Sequence, residues 1–358
     1  MTSDLPANPR CIVVIDGHRF DSFDPETIVE RFESVSVELS TDRSSMAKWK
    51  VFDPDFRISD KFAYIAGGGL PSVAIYLGYG NTLGKPIFEG VVTKINRTDT
   101  ATGFVAYDNG FKMKRVKIGD YFYKKDDKDI IGILAARNGL GFSPPDAKGL
   151  EKYRVMTQDQ KNDWEMTLER AREMGWVVYV RGNTLFARYP ARVTVPIATF
   201  INRKDFRLKH GFEFEFRVPE SQEGKRKVNR VGRGKGGKRL VGESDISARG
   251  KENVNLKRDT PGKHTKTKLE IRAQAQKDLE REHAFEAHLS AVVAPYGARI
   301  DVRDSIRIME VGKLFSGVYI CDGVRYNFRP GTMELDLDLY RDALPKNSDQ
   351  QGSDFLGG

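Results

Sequence analysis

Five histidines, two cysteines and the carboxylates are the residues with which this chain of 358 amino acids could do chemistry. The histidines are His18, His210, His264, His283 and His288. His283 and His288 are separated by about 140° on a helix, and they face opposite ways on a strand. No HExxH, CxxC or GxSxG pattern occurs, so neither a zinc site nor a hydrolase nucleophile is signalled. Cys11 and Cys321 lie near opposite ends of the chain in apolar runs. Both are expected to be buried thiols. Asp53 and Asp55 flank Pro54, and Asp126, Asp127 and Asp129 lie beside Lys124, Lys125 and Lys128. Both groups read as solvated turns. Carboxylates can converge in space without a sequence signature, but nothing marks these out. No catalytic residue, metal ligand or cofactor is assigned, and a structural or binding role is expected.

The net charge is +9, and it belongs to one segment. Between Gly224 and Lys268 there are 15 Lys or Arg against four acids, which leaves the rest of the chain mildly acidic. The run from Lys225 to Arg239 carries Lys225, Arg226, Lys227, Arg230, Arg233, Lys235, Lys238 and Arg239, with no acid and no aromatic. With so little apolar surface to bury, it is expected to be a mobile loop. Two uses are open: contact with a polyanion, either nucleic acid or an acidic partner surface, or a solvated insertion. Lack of aromatics removes the stacking platform of single-strand binders. Gly232, Gly234 and Gly237 match GxGxxG, and Gly232 to Lys238 matches a Walker A loop with Arg239 in place of Ser or Thr. Both motifs need a strand before and a helix after, and the flanks suggest neither, so nucleotide binding is not assigned.

These residues must be positioned by mostly β structure. Hydrophobic residues are 39% of the chain, enough for a folded core. No apolar run reaches the roughly 18 residues of a membrane helix, and Cys11 to Ile15 is too short for a signal-peptide core. The chain is therefore expected to be made and kept in a cytoplasm or exported by another route. Up to about Val116 the pattern alternates. Val35, Val37 and Leu39 interleave with polar residues, and strands are expected at 72–79, 87–95 and 104–107. From 117 to 190 the period changes. Asp129 to Asn138 reads as a short buried helix. Asp163 to Met174 is the clearest helix, with Trp164, Leu168, Ala171 and Gly175 on one face and Asn162 or Asp163 as its cap. Strands at 176–180 and 185–188 follow around a Gly182-Asn183 turn. From 191 to 345 β patterning returns, with Phe212, Phe214 and Phe216 alternating and a helix expected near 267–282. Strands are expected at 283–293, 298–302, 305–311 and 315–321. In the last strand Met333, Leu335, Leu337 and Leu339 face one way and Glu334, Asp336 and Asp338 the other. The tail 346–358 reads as flexible.

Three stretches resemble the baseplate hub proteins of contractile phage tails, the late control gene D protein-like family, which is related to the hub part of type VI secretion spike proteins. The first is Ile87 to Ile95, with Phe88 and Gly90 in the family's first-barrel strand. The second is Asp163 to Phe186, where Trp164, Leu168, Ala171, Gly175, Gly182 and Leu185 match a helix–hairpin signature. The third is Gly312 to Phe328, with Gly317, Tyr319 and Val324 matching and Tyr326 where the family often has histidine. The resemblance implies an α+β, mostly β fold. Two tail-tube-like β-barrel domains (1–116 and 191–345) would flank a small α/β helix–hairpin domain (117–190), with a basic flexible loop (224–268) in the second half. It implies a non-enzymatic homotrimer without cofactor, located in the tail baseplate of a virion made in host cytoplasm. The ring would adapt a threefold central spike to the sixfold tail tube and nucleate the tube. Implied partners are the spike, a tail tube or tube-initiator protein, wedge proteins and the tape-measure protein, with DNA a possible transient contact. The alternatives are a nucleic-acid-binding protein using the basic loop and a tail-tip cell-wall hydrolase.

Overall fold

The computed structural model describes residues 8–22, 32–41, 43–80, 83–147, 150, 152–191, 194–202, 212–216, 226–233, 239–246, 254–263, 285–293, 299–313 and 315–341. The first part comprises β1 (Pro9–Ile15), β2 (His18–Asp21), β3 (Phe32–Ser40), β4 (Met46–Phe52), helix α1 (Arg57–Lys61), β5 (Ser72–Tyr79), β6 (Phe88–Arg97) and β7 (Ala101–Asp108). The middle part comprises β8 (Lys117–Tyr123), α2 (Asp127–Arg137), β9 (Gly141–Ser143), β10 (Val155–Asn162), α3 (Asp163–Glu173), β11 (Val177–Arg181) and β12 (Thr184–Arg188). The last part begins with β13 (Ala198–Ile201), β14 (Phe212–Phe216), β15 (Arg226–Arg233), β16 (Arg239–Ile246) and β17 (Val254–Lys263). It ends with β18 (Phe285–Val293), β19 (Ser305–Met309), β20 (Gly317–Arg329) and β21 (Thr332–Arg341). The fold is α+β and mostly β.

One sheet runs through the first and last parts in the order β14-β18-β21-β20-β3-β4-β7-β6-β5-β1-β2, with β13 and β19 joined beside β20. The seam between the two parts is the antiparallel pair β20–β3, which sets Val324 opposite Leu39 and Tyr326 opposite Val37. These four side chains are buried, so the seam is sealed by apolar pairs as well as by its ladder. Alternation drives the flanking strands in the same way. Met333, Leu335, Leu337 and Leu339 of β21 all point inward. Their acidic neighbours are met by cross-strand partners. Asp336 accepts from Asn327 Nδ2 at 2.9 Å, and Asp338 lies 2.7 Å from His288 Nδ1. A single apolar core extends from Cys11 to Leu339 through both parts, and Trp49 stacks on Phe104 within it at 5.2 Å between centroids.

The middle part has its own core, from Met113 to Ala187. Helix α3 starts in a capping box. Asn162 Oδ1 accepts from Glu165 N at 2.8 Å, and the Glu165 carboxylate accepts from Asn162 N at 3.0 Å. Its buried face holds Trp164, Thr167, Arg170 and Ala171, with Leu168 at the margin. Arg170 is buried because acids surround it: Glu169 at 2.7 Å and Asp127 at 3.6 Å. Hairpin β11–β12 pairs Val180 with Leu185, and β9 joins β12 in parallel.

Four expectations need correction. The stretch 225–239 is not a loop throughout: β15 pairs antiparallel with β16 and parallel with β17. Ladder bonds on both sides of β15 supply the order that its missing apolar face does not. Residues 299–302, expected as part of a strand, pair with none. There the Tyr326 hydroxyl accepts from Ile300 N at 2.9 Å and donates to Ile300 O at 2.7 Å, so a side chain replaces a ladder partner. Asp126, Asp127 and Asp129 are not a solvated turn. Asp126 caps α2 by accepting from Asp129 N, and Asp127 is buried against the Tyr153 hydroxyl. Asp53 is buried as well. It accepts from Ile58 N, Ser59 N, Thr102 Oγ1 and Arg97 Nη1 at 2.7 to 3.1 Å. The expected helix near 267–282 and the tail 346–358 lie outside the described residues. No helix among the described residues is long and apolar enough to cross a membrane.

Candidate functional site

The three parts of the chain meet around Arg181, the last residue of β11. Strand β11 carries Val178 and Val180 into the middle core, and alternation then turns Arg181 the other way. Its guanidinium forks onto Asp301, with Nε 3.1 and 3.0 Å from the two carboxylate oxygens and Nη2 on Oδ1. Nη1 donates to Ser45 Oγ at 3.1 Å and to the Val180 carbonyl at 2.9 Å. One side chain thus ties the hairpin to the β3–β4 turn and to the segment before β19. Bidentate geometry is what an arginine offers and a lysine does not.

A cleft of about 300 Å³ lies at this junction, and Lys85, Glu89, Asp108, Arg181, Arg299 and Asp301 supply its charge. Arg299 donates to the carbonyls of Lys85 and Pro86, closing one wall. Asn109 Nδ2 donates to the Gly182 carbonyl at 3.0 Å. Gly182 has φ +55°, a left-handed conformation that favours glycine, while its only near neighbour, the Glu89 carboxylate, is the end of an exposed side chain that could yield. Beneath the cleft Asp108 is buried. Its carboxylate accepts from Gly110 N at 3.0 Å and from Ser45 N. Burial pushes its pKa up to about 6, against the pull of these bonds and of Arg181 and Lys114.

The arrangement holds parts together; it does not pair an acid with a nucleophile. Both cysteines are fully buried, and burial pushes both thiols well up, so neither is a ready thiolate. Tyr319, buried under the Arg341 guanidinium at 4.7 Å, is pushed up to about 12 by burial.

Of the basic residues singled out in the sequence, Arg226, Lys227, Arg230 and Arg233 stand on β15 and Arg239 on β16, where Arg233 pairs with Arg239 in register. Lys225, Lys235 and Lys238 lie outside the described residues. A strand does precede the Gly232 motif, but the element after it is a strand too, where a dinucleotide site needs a helix. The sequence does not signal Arg181, Asp301 or Asp108. Their partners are 63 to 136 positions away, and only the Gly182-Asn183 turn hinted that this end of the hairpin was special.

Comparison with known proteins adds the context. Residues 23–201, half of the chain, match the family described as the Alg8 N-terminal domain, and the chain belongs to that family. No curated protein matches the sequence. The fold is similar to that of a tail protein from Neisseria meningitidis, at TM-score 0.66 and 12% identity, over 94% of this chain and 98% of that one. It is also similar to a prophage tail protein from Shewanella oneidensis, at TM-score 0.62 and 9% identity, over 93% and 97% of the two chains. A component of the Escherichia coli type VI secretion system, itself described as similar to phage T4 tail proteins, aligns at TM-score 0.58 and 9% identity over 93% and 80%. The chain has the mostly β, tail-tube-like fold of phage tail proteins.

Proposed function

We propose that this chain is the structural baseplate hub of a phage or phage-tail-like injection machine, a homotrimeric ring that seats a threefold spike and starts the sixfold tube. The observation that carries this reading is the β20–β3 seam. It sets the strand systems of the first and last parts side by side in one sheet, so each chain offers two tube-like units and three chains offer six. Similarity of fold along nearly the whole chain to phage tail proteins and to a type VI secretion component supports it. In this reading the units are 1–116, 117–190 and 191–345, and the Arg181 junction holds the middle one against the other two. The location is the virion tail, and the role is mechanical, not catalytic. The basic residues from Lys225 to Arg239 grip acidic neighbours such as the spike, wedge or tape-measure proteins.

Light scattering of the purified chain at physiological salt tests the ring. A mass near three times that of one chain is expected, either alone or after mixing with the spike protein of the same particle. A chain that stays monomeric under both conditions overturns the proposal.

A further inference from the structure

Four of the exposed large apolar side chains fall on one small structure. Val116, Tyr121, Tyr123 and Val155, at 61, 60, 64 and 44% exposure, belong to the ribbon β8–β10 or to the residue that leads into it. The ribbon pairs Tyr123 with Val155 and Tyr121 with Thr157. Its inner face is normal, with Phe122 and Gln158 buried and Met156 packed on the middle core. The outer face carries Lys117, Gly119, Tyr121 and Tyr123 from β8, and Val155, Thr157 and Asp159 from β10, all exposed. The two tyrosine rings lie 6.5 Å apart, tilted by 32°. Arg115, Lys117, Lys124 and Arg154 rim this apolar patch and are also exposed. Tyrosine and arginine are enriched at interface centres, and a charged rim around an apolar patch is the usual border of one.

The ribbon has only two strands, so each has an edge that no described strand pairs. The edges differ. Strand β10 breaks register between Gln158 and Lys161, with Gln160 at φ +47°, and such a bulge bends an edge away from further pairing. Strand β8 runs from Lys117 to Tyr123 as a regular strand, and on its outer edge Tyr121 N donates to the Asp120 carboxylate at 2.7 Å, a contact that an incoming strand would replace, while Asp120 itself is drawn to Arg137. We infer that β8 is the docking edge for an extended, acidic segment of another protein, added as a third strand beside Tyr121 and Tyr123. Main-chain bonds would supply affinity, and alternate side chains of the incoming segment would meet the tyrosines and the cationic rim. The valines and a strand edge that no described strand pairs favour a polypeptide over a nucleic acid strand, which would use the aromatic faces and the cations but neither of those features. The inference stands apart from the hub reading, since it concerns the middle part and an acidic segment of another protein, not the ring.

The test uses the full chain and a short fluorescent peptide alternating Glu and Val. Saturable binding by anisotropy is expected, with slowed amide exchange along 117–123. Reversing Lys117, Lys124 and Arg154 to Glu should weaken it about tenfold or more, with Tyr121→Thr/Tyr123→Thr as an independent second variant. The same peptide with Lys for Glu should not bind. Failure of the acidic peptide to bind overturns the inference. So does an oligo-dT strand that binds more tightly and is lost in both variants, or self-association of the chain that both variants abolish. Trimer formation is read separately by light scattering, so either idea can fail alone.

Discussion

Arg181 and Asp301, 120 residues apart, form a forked ion pair that joins the helix–hairpin part to the segment leading into β19. Both side chains are largely covered, with 18 and 33% of their surface exposed. The pair has no counterpart in local sequence, and it holds a place where backbone pairing between the two parts is absent among the described strands. A side-chain clamp does there what a ladder does at β20–β3.

Replacing either partner should therefore loosen the junction without unfolding the separate cores. In a double-mutant cycle with Arg181→Ala and Asp301→Ala, a coupling of about 1–2 kcal/mol is expected, below that of a fully buried pair. Arg181→Lys should recover little of it, because the fork is lost. Chemical denaturation of the four proteins measures the coupling. A value near zero would mean that the pair is ornamental.

Asp53 should matter more than its place in a turn suggests. It organises the start of α1 and anchors Arg97, which also covers the Phe56 ring at 3.5 Å. Burial alone would raise its pKa, but the bonds from Thr102, Ile58 and Ser59 overcome that and leave it below the usual range. A lowered carboxyl pKa stabilises the fold above the ordinary aspartate range. That contribution disappears as pH falls through the folded-state value. Asp53→Asn is expected to cost about 1–3 kcal/mol at pH 7. The difference between variant and parent should shrink in strong acid, as thermal melts across pH would record.

Asp108 should behave in the opposite sense. Its pKa is pushed up to about 6, so between the ordinary value of 3.8 and that point the folded chain holds a proton that the unfolded chain releases. Stability contributed by this group falls as pH rises through that window and is level above it. The span is on the order of 3 kcal/mol, from the two-unit difference. In Asp108→Asn the fall should vanish, so the variant gains on the parent between pH 4 and 6. Parallel stability curves for the two proteins would exclude this assignment.

Gly90 is required by close approach. A Cβ at this position would run into the Tyr107 carbonyl on the neighbouring strand β7. Backbone cannot swing aside as a side chain can, so Gly90→Ala should cost about 1–3 kcal/mol. Gly119→Ala is the control, since a Cβ there would meet nothing nearer than 3.9 Å. Equal denaturation midpoints for the two variants would remove the steric explanation.

Much of the fold was legible from period alone. The inward leucines of β21, the alternating β3, the capped α3 and the hairpin after it all follow from spacing, because a strand or helix that must bury one face writes that face into the sequence. Burial of both cysteines followed in the same way from their apolar neighbours. The basic run was harder. Its composition argued for a loop, and pairing partners supplied by β16 and β17 made part of it a strand instead. Local composition reports what a segment can bury. It does not report which backbone comes to lie beside it.

What the sequence by itself determined was the strongly periodic elements and the face each one buries, since these depend on residues two to four positions apart. What only the tertiary structure decided was which elements meet. The β20–β3 seam joins residues more than 280 positions apart, and Arg181, Asp301, Ser45 and Asp108 gather from all three parts. Polar contacts of this kind carry no periodicity. An arginine on a strand looks alike in sequence whether it faces water or a carboxylate brought from the far end of the chain, and the packing of the two cores makes the choice.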